Sequence, residues 1–412
     1  MMSQAFIEEE AFAQLRSLLL EPSKDNWDTL LKLLESWPKS GAEMAFGYAC
    51  GHLSDWPDAM RVYPALGLEE LLKKPMDWPM HQLACALDLS NRGLKNAELK
   101  SIVNSEPFAH LKVLDLSSNK LGAREARTLS RGKSLKNLKS LSLYFNNLRD
   151  EGARVIASSR NLRELVHLSL RSNGLEDEGL VALAQSSNFG ELQRLELGSN
   201  GIFDMGGRAL AKSKAFPRLE VLLLDSNLLG DEGVEVLAES ELLGQLELLD
   251  LSSNLLSDLG ALALAKSTYL TNLRELRLCK NKIGVRGACE LTESEGLRDL
   301  LILNLNSNQL GDEGAMALAE SEELQALERL FLERNGIHDE GARAIARSDA
   351  LRHLVQLDLS FNDIGDKGGR AFATSKTLGK LKTLNLSFNE LGHTVKKELR
   401  DAKLFKETQL IV

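Results

Sequence analysis

No stretch of the sequence holds 18 uninterrupted apolar residues, so none has the length and apolarity of a membrane-crossing helix. At its start Glu8, Glu9 and Glu10 stand where a secretory leader would need a basic region and an apolar core, so no leader is expected. The four cysteines (Cys50, Cys85, Cys279, Cys289) form no CxxC pair and no regular recurrence. They read as reduced thiols in a cytoplasmic protein. The seven histidines show no metal-ligand spacing, and no phosphate-binding or dinucleotide motif follows a strand pattern, so neither metal nor cofactor is expected. The formal charge of −9 comes without a long run of either sign. That excludes the basic surface a nucleic acid or an anionic membrane would select.

Tryptophan is absent after residue 80. All four (Trp27, Trp37, Trp56, Trp78) precede it, as do six of the eight prolines. Residues 1–80 also carry 13 acids against 7 bases, while the remainder is nearly balanced at 46 against 43. This first segment is predicted to be a small helical N-terminal cap. A helix is expected over Gln4–Leu20, with an apolar stripe through Phe6, Phe12, Leu15 and Leu19. A second runs from a Ser23 cap to Trp37, stopped by Pro38. A third covers Gly41–Leu53, and a short one Leu68–Lys73.

What fills the rest is a repeat. Asparagine recurs at Asn119, Asn146, Asn173, Asn200, Asn227, Asn254, Asn281, Asn308, Asn335, Asn362 and Asn389, every gap being 27 residues. A period in this range marks a stacked array, in which each unit packs only on its neighbours. Leucines eight, five and three residues before the asparagine and two after it give LxxLxLxxNxL. The central L-x-L has the period of two that sends both side chains of a strand inward. Each asparagine, with two donors and an acceptor, can pair with the backbone of its own and adjacent turns. A degenerate twelfth unit with Arg92 at the asparagine position precedes the eleven.

The second half of each unit reads as a helix. Aspartates four residues after the asparagine (Asp150, Asp177, Asp204, Asp231, Asp258, Asp312, Asp339, Asp366) are expected to cap it. Their recurrence is not read as calcium ligation, because one acid pair per unit cannot supply six oxygens. Glycine follows two residues later, at a cost of about 1 kcal/mol against alanine, so it must serve close packing or an unusual backbone angle. Because helices need more lateral room than strands, the stack is predicted to bend with its helices outside. The expected fold is an α/β solenoid or horseshoe of about twelve 27-residue repeats, with a parallel inner sheet. Its expected bounds are residues 81–395, followed by a C-terminal cap at 396–412.

LxxLxLxxNxLGDEGAxALA resembles the leucine-rich repeat proteins, particularly the ribonuclease-inhibitor-like class, and its regularity is similar to that of bacterial members. The resemblance covers residues 83–400. It implies protein recognition on the concave face, not catalysis: a non-enzymatic scaffold for a protein partner. Two alternatives come with it. One is a regulator of a small GTPase, since the Ran GTPase-activating protein is a horseshoe of similar repeats. The other is a bacterial effector or ubiquitin-ligase adaptor, although residues 1–80 show no F-box pattern.

Concave-facing residues lie six, four and two positions before each asparagine. The apolar, arginine and tyrosine members of that set are the binding candidates: Tyr144, Arg171, Arg194, Val221, Leu223, Leu248, Arg277, Ile302, Arg329 and Phe331. Phe145, Phe361 and Phe388, immediately before their asparagines, are expected to turn partly into the core. His167 and Ser169 share a strand, but no paired acid completes a nucleophilic set. Cys279 lies close to Arg277 and Lys280, which could depress its pKa, but its plainer reading is a small filler.

Overall fold

A computed structural model of the chain describes residues 4–37, 41–53, 55–63, 70, 73, 83–402, 405–406 and 408–412. Its described residues form two compact units, Met1–Ser169 with Ser187–Glu191, and Leu170–Ser186 with Leu192–Val412.

The first unit opens with three helices, α1 (Gln4–Leu20), α2 (Lys24–Glu35) and α3 (Ala42–Leu53). Ser23 caps α2, its hydroxyl accepting from the Asn26 amide at 3.1 Å, as its sequence position requires. The expected helix over Leu68–Lys73 falls largely outside the described residues. Apolar faces meet around Leu15, Trp27, Leu30, Ala45, Ala49 and Leu53, each at most 1 % exposed. Two indoles tie this bundle to backbone: Trp27 Nε1 donates to the Val62 carbonyl at 2.8 Å, and Trp56 Nε1 to that of Leu19 at 3.1 Å. Val62 in turn bridges to Ala86 in parallel, and the Tyr63 amide donates to the Ala86 carbonyl. The segment therefore pairs with the first strand of the repeat array.

From there strand and helix alternate. The unit contributes β1 (Ala86–Asp88), α4 (Asn96–Val103), β2 (Val113–Asp115) and α5 (Ala123–Ser130). It then adds β3 (Ser140–Ser142), α6 (Arg149–Ala157) and β4 (His167–Ser169). The second unit begins with α7 (Asp177–Ala184), β5 (Arg194–Glu196), α8 (Asp204–Ala211), β6 (Val221–Leu223) and α9 (Asp231–Ala238). Next come β7 (Leu248–Asp250), α10 (Asp258–Ala265), β8 (Glu275–Arg277), α11 (Val285–Thr292) and β9 (Ile302–Asn304). It closes with α12 (Gly311–Glu320), β10 (Arg329–Phe331), α13 (Asp339–Arg347), β11 (Gln356–Asp358), α14 (Asp366–Ala373), β12 (Thr383–Asn385), α15 (His393–Asp401) and β13 (Gln409–Ile411). Within each unit every strand pairs in parallel with its chain neighbour, and β1 to β4 and β5 to β12 register residue for residue at an offset of 27. Twelve strand–helix repeats follow the helical bundle, as the sequence period implies.

The central leucine of each strand from β1 to β12 (Leu222, Leu249, Leu276, Leu303 and so on) is buried between sheet and helices, and Leu410 in the closing β13 is half-buried. The asparagines stack beside them. Asn254 Nδ2 donates to the carbonyls of Leu224, one repeat back, and of Leu251 and Ser252 in its own, at 3.0, 3.0 and 3.2 Å. Its Oδ1 accepts from the Leu229 amide at 3.0 Å. One side chain thus satisfies four backbone groups across two repeats. Arg92, which replaces the first asparagine, gives its amide to Asn119 Oδ1 at 3.1 Å, so that unit receives the ladder without extending it.

The aspartates do cap helices, but not their own. Asp231 is the first residue of α9, and its Oδ1 accepts from the amides of Ser257 and Gly260, both at 2.8 Å, at the start of α10 in the next repeat. Asp177, Asp258, Asp312 and Asp339 repeat the arrangement. The glycine column follows from this geometry. A Cβ on Gly260 would stand 2.7 Å from Asp231 Oδ1, and one on Gly287 2.7 Å from Asp258 Oδ1. Glycine leaves the amide open to the preceding carboxylate.

Four of the twelve repeats lack the aspartate, having Asn96, Ala123, Val285 and His393 in its place. The helices that follow Ala123 and Val285, α6 and α12, start one residue early, with Arg149 (φ 51°) and Gly311 (φ 60°) in the left-handed region, whereas α5, which follows Asn96, starts in phase. Where alanine or valine replaces the carboxylate, the change is read out in the next helix's first turn.

A serine column on the far side of the helices was not anticipated from the sequence. Ser213, Ser240, Ser267, Ser294, Ser321 and Ser348 recur at 27 residues, each hydroxyl donating to a carbonyl at the end of the previous repeat's helix, at 2.5–2.8 Å.

Candidate functional site

Because side chains alternate along a strand, the leucines that fill the core leave residues six, four and two before each asparagine on the open side of the sheet. Their exposure varies widely. Tyr144 is 41 % exposed and Arg329 is exposed, whereas Val221, Leu248, Ile302 and Phe331 are half-buried. Leu223 is only 8 % exposed, registered between Glu196 and Asp250. It is a covered residue rather than the exposed apolar anchor its place in the strand suggested.

Charged residues on this side are largely paired with each other. Arg171 reaches across a whole repeat to Asp225, binding both carboxylate oxygens, at 2.5 and 2.7 Å. It passes over Gly198, whose position admits no side chain: a Cβ there would collide with both Arg171 Nη1 and Asp225 Oδ1. Arg194 donates along its own strand to Glu196 at 2.7 Å. Arg277 donates from Nε to Glu275 at 2.5 Å and more loosely from Nη1 to Asp250 at 3.4 Å. Burial works against the Arg277 charge, but Glu275 and Asp250 outweigh it and raise its pKa.

Between β6 and β10 the open side sinks into a depression of about 560 Å³. Its floor holds Asp225, Asp250, Ser252 and Cys279, and its walls include Glu275, Arg277, Lys280, Ile302, Asn304, Arg329 and Phe331. Burial, with the Asp225 carboxylate nearby, pushes the Asp250 pKa up. Burial also raises the Cys279 thiol pKa, with only Lys280 among the nearby cations pulling the other way, the reverse of what an activated nucleophile needs. Of the sequence candidates, Arg277, Ile302, Arg329 and Phe331 come together here. Asp225, Asp250 and Ser252 were missed as site residues, since small and acidic side chains carried no binding signal. Tyr144 belongs to the other unit. No group of three or more metal-ligating side chains occurs among the described residues. Among those residues, no helix is long and apolar enough to cross a membrane.

Phe145, Phe361 and Phe388 do not enter the core. They are 62, 37 and 70 % exposed. The residue before every ladder asparagine has φ of 54–58°, and this left-handed turn throws its side chain outward. Phe361 and Phe388 stack at 4.1 Å, 13° from parallel, and the Arg334 guanidinium lies 4.5 Å over Phe361.

A family model described as a leucine-rich repeat matches residues 109–124, 134–157, 161–184, 296–319, 324–346 and 350–373. No curated protein matches the sequence. Solved structures of similar fold include an internalin from Listeria monocytogenes, 19 % identical over 84 % of this chain and 93 % of that one, with a TM-score of 0.49. Others are the leucine-rich repeat ectodomain of a membrane receptor kinase from Arabidopsis thaliana (21 % identical, 82 % of this chain, 39 % of that one, TM-score 0.41) and a leucine-rich repeat protein from Leptospira interrogans (21 %, 85 %, 99 %, 0.38). With an asparagine column joining strand to strand at a fixed period, and the family's pattern recognised in six of its repeats, the chain belongs to the leucine-rich repeat proteins.

Proposed function

We propose that the protein is a non-enzymatic scaffold that binds a partner protein on the open side of its strands, the concave face of the expected horseshoe. Leucine-rich repeats are in general interaction scaffolds, and what supports the finer reading is the division of labour within each strand. The inward positions repeat leucine almost without change, while the outward positions differ from repeat to repeat and include half-buried Val221, Leu248, Ile302 and Phe331. Freed from core packing, these positions can be varied without cost to the stack. Aromatic, aliphatic and arginine side chains in partly desolvated settings are those that dominate binding energy.

The test is affinity capture from native cells with the wild-type chain, a Leu248→Asp/Phe331→Asp double variant, and Met316→Asp on the helical side as control. Met316 is 39 % exposed on α12. The double variant is expected to lose specific partners at least about tenfold, as hot-spot truncation does, while the control retains them. Equal capture by all three chains would remove the strand side as the binding surface.

A further inference from the structure

The depression between β6 and β10 contains an internal comparison. Asp-x-Ser (or Asn-x-Ser) occurs on the open side at Asp88–Ser90, Asp115–Ser117, Asp250–Ser252, Asp358–Ser360 and Asn385–Ser387. In three of these the serine amide and hydroxyl both donate to the preceding side-chain oxygen. At Asp88–Ser90 and Asp250–Ser252 only the amide does so, at 2.9 Å in each. The Ser252 hydroxyl, in a residue 6 % exposed, meets no partner with hydrogen-bonding geometry. A buried hydroxyl is rarely left so. Asp250 Oδ2, meanwhile, has only the 3.4 Å contact from Arg277.

The Ser252 hydroxyl is closed off from a ligand, so what the depression offers here is the loosely paired Asp250 carboxylate, an acceptor for a main-chain N–H. The other uncommitted polar groups in the depression are cations. Asp225 is taken up by Arg171 and Glu275 by Arg277. Lys280 and Arg329, both exposed, form no ion pair among the described residues. Ile302 and Phe331 provide apolar surface beside Arg329.

Resting on the reading of the strand side as the partner wall, we propose that this depression takes an extended, acidic peptide segment of a partner protein. Its carboxylates pair with Lys280 and Arg329. An apolar side chain between them lies on Ile302 and Phe331, and a main-chain N–H donates to Asp250. From β7 to β10 is three strand spacings, roughly 14 Å, which four or five extended residues span.

The experiment pans the full chain against a randomised heptapeptide display library and measures the selected peptides by fluorescence anisotropy. Peptides rich in Asp and Glu around one Leu, Ile or Phe are expected, binding more weakly as salt rises. Arg329→Gln and Lys280→Gln should each weaken them about tenfold or more, the scale of a charge-assisted hydrogen bond. Selection of basic peptides, or acidic peptides indifferent to Arg329→Gln and Lys280→Gln, overturns the assignment. If such peptides still lose binding to Leu248→Asp/Phe331→Asp, the partner wall stands and only its acidic specificity falls. Failure to select any peptide overturns the acidic-peptide site as well, leaving the capture experiment to judge the wall.

Discussion

Asn254→Leu is expected to destabilise the second unit by on the order of 4 kcal/mol, read as a lowered urea midpoint. Leucine fills a similar volume and would be at home in the neighbouring core, so the loss cannot come from a cavity. It comes from the backbone groups left behind: the Leu224 and Leu251 carbonyls and the Leu229 amide, which Asn254 serves at 3.0 Å each. All three residues are fully buried, and an unsatisfied buried polar group costs about 1–3 kcal/mol. Asn254→Asp separates the two ends of the amide. It retains the acceptor for Leu229 and loses the donors, and should fall between wild type and leucine. An unchanged midpoint for Asn254→Leu would mean that water or local rearrangement satisfies these groups, and the ladder would no longer explain the fixed period.

Gly233→Ala should cost about 2–3 kcal/mol although alanine is the better helix former. The added Cβ would stand 2.5 Å from Asp204 Oδ1 and 2.8 Å from Asp204 Cα, and a backbone atom cannot swing aside as a side-chain tip can. The same substitution at Gly47, inside α3 with nothing within 4 Å of the new Cβ, should instead stabilise by up to about 1 kcal/mol. Thermal or urea unfolding of the two variants reads the sign directly. A gain at both positions would show that the repeat glycines are not held by the preceding aspartate.

These two columns also mark how far the sequence could be read. The strand, the asparagine ladder and the helix that follows were legible because each recurs at one position with one chemistry. The aspartate's role was half legible. Its residue type announces a helix cap, but a linear pattern assigns a cap to the nearest helix, and here the recipient starts 26 residues on, at Ser257 for Asp231. The tell-tale was indirect: where Val285 breaks the column, the irregular helix start appears in the next repeat, at Gly311.

The phenylalanines misled for a different reason. Judged by residue type, Phe361 and Phe388 belong in a core. Judged by column, they share a position with Ser226, Ser253, Lys280, Ser307 and Arg334, which signals an outward turn. The column was the better guide. The charge pattern of the open side was least legible, because Arg171 and Asp225 are 54 residues apart and skip a repeat through the gap at Gly198. Which cations remain free depends on such pairings, and so only the structure singles out Lys280 and Arg329.

Hydroxyl-radical footprinting of the full chain, alone and with a captured partner, tests the central claim most directly, since it reports side-chain accessibility face by face. The account predicts that bound partner protects outward strand residues such as Leu248, Ile302 and Phe331 while Leu259 and Met316 on the helices react as before. Protection confined to the helices, with the strand residues as reactive as in the free chain, would contradict it.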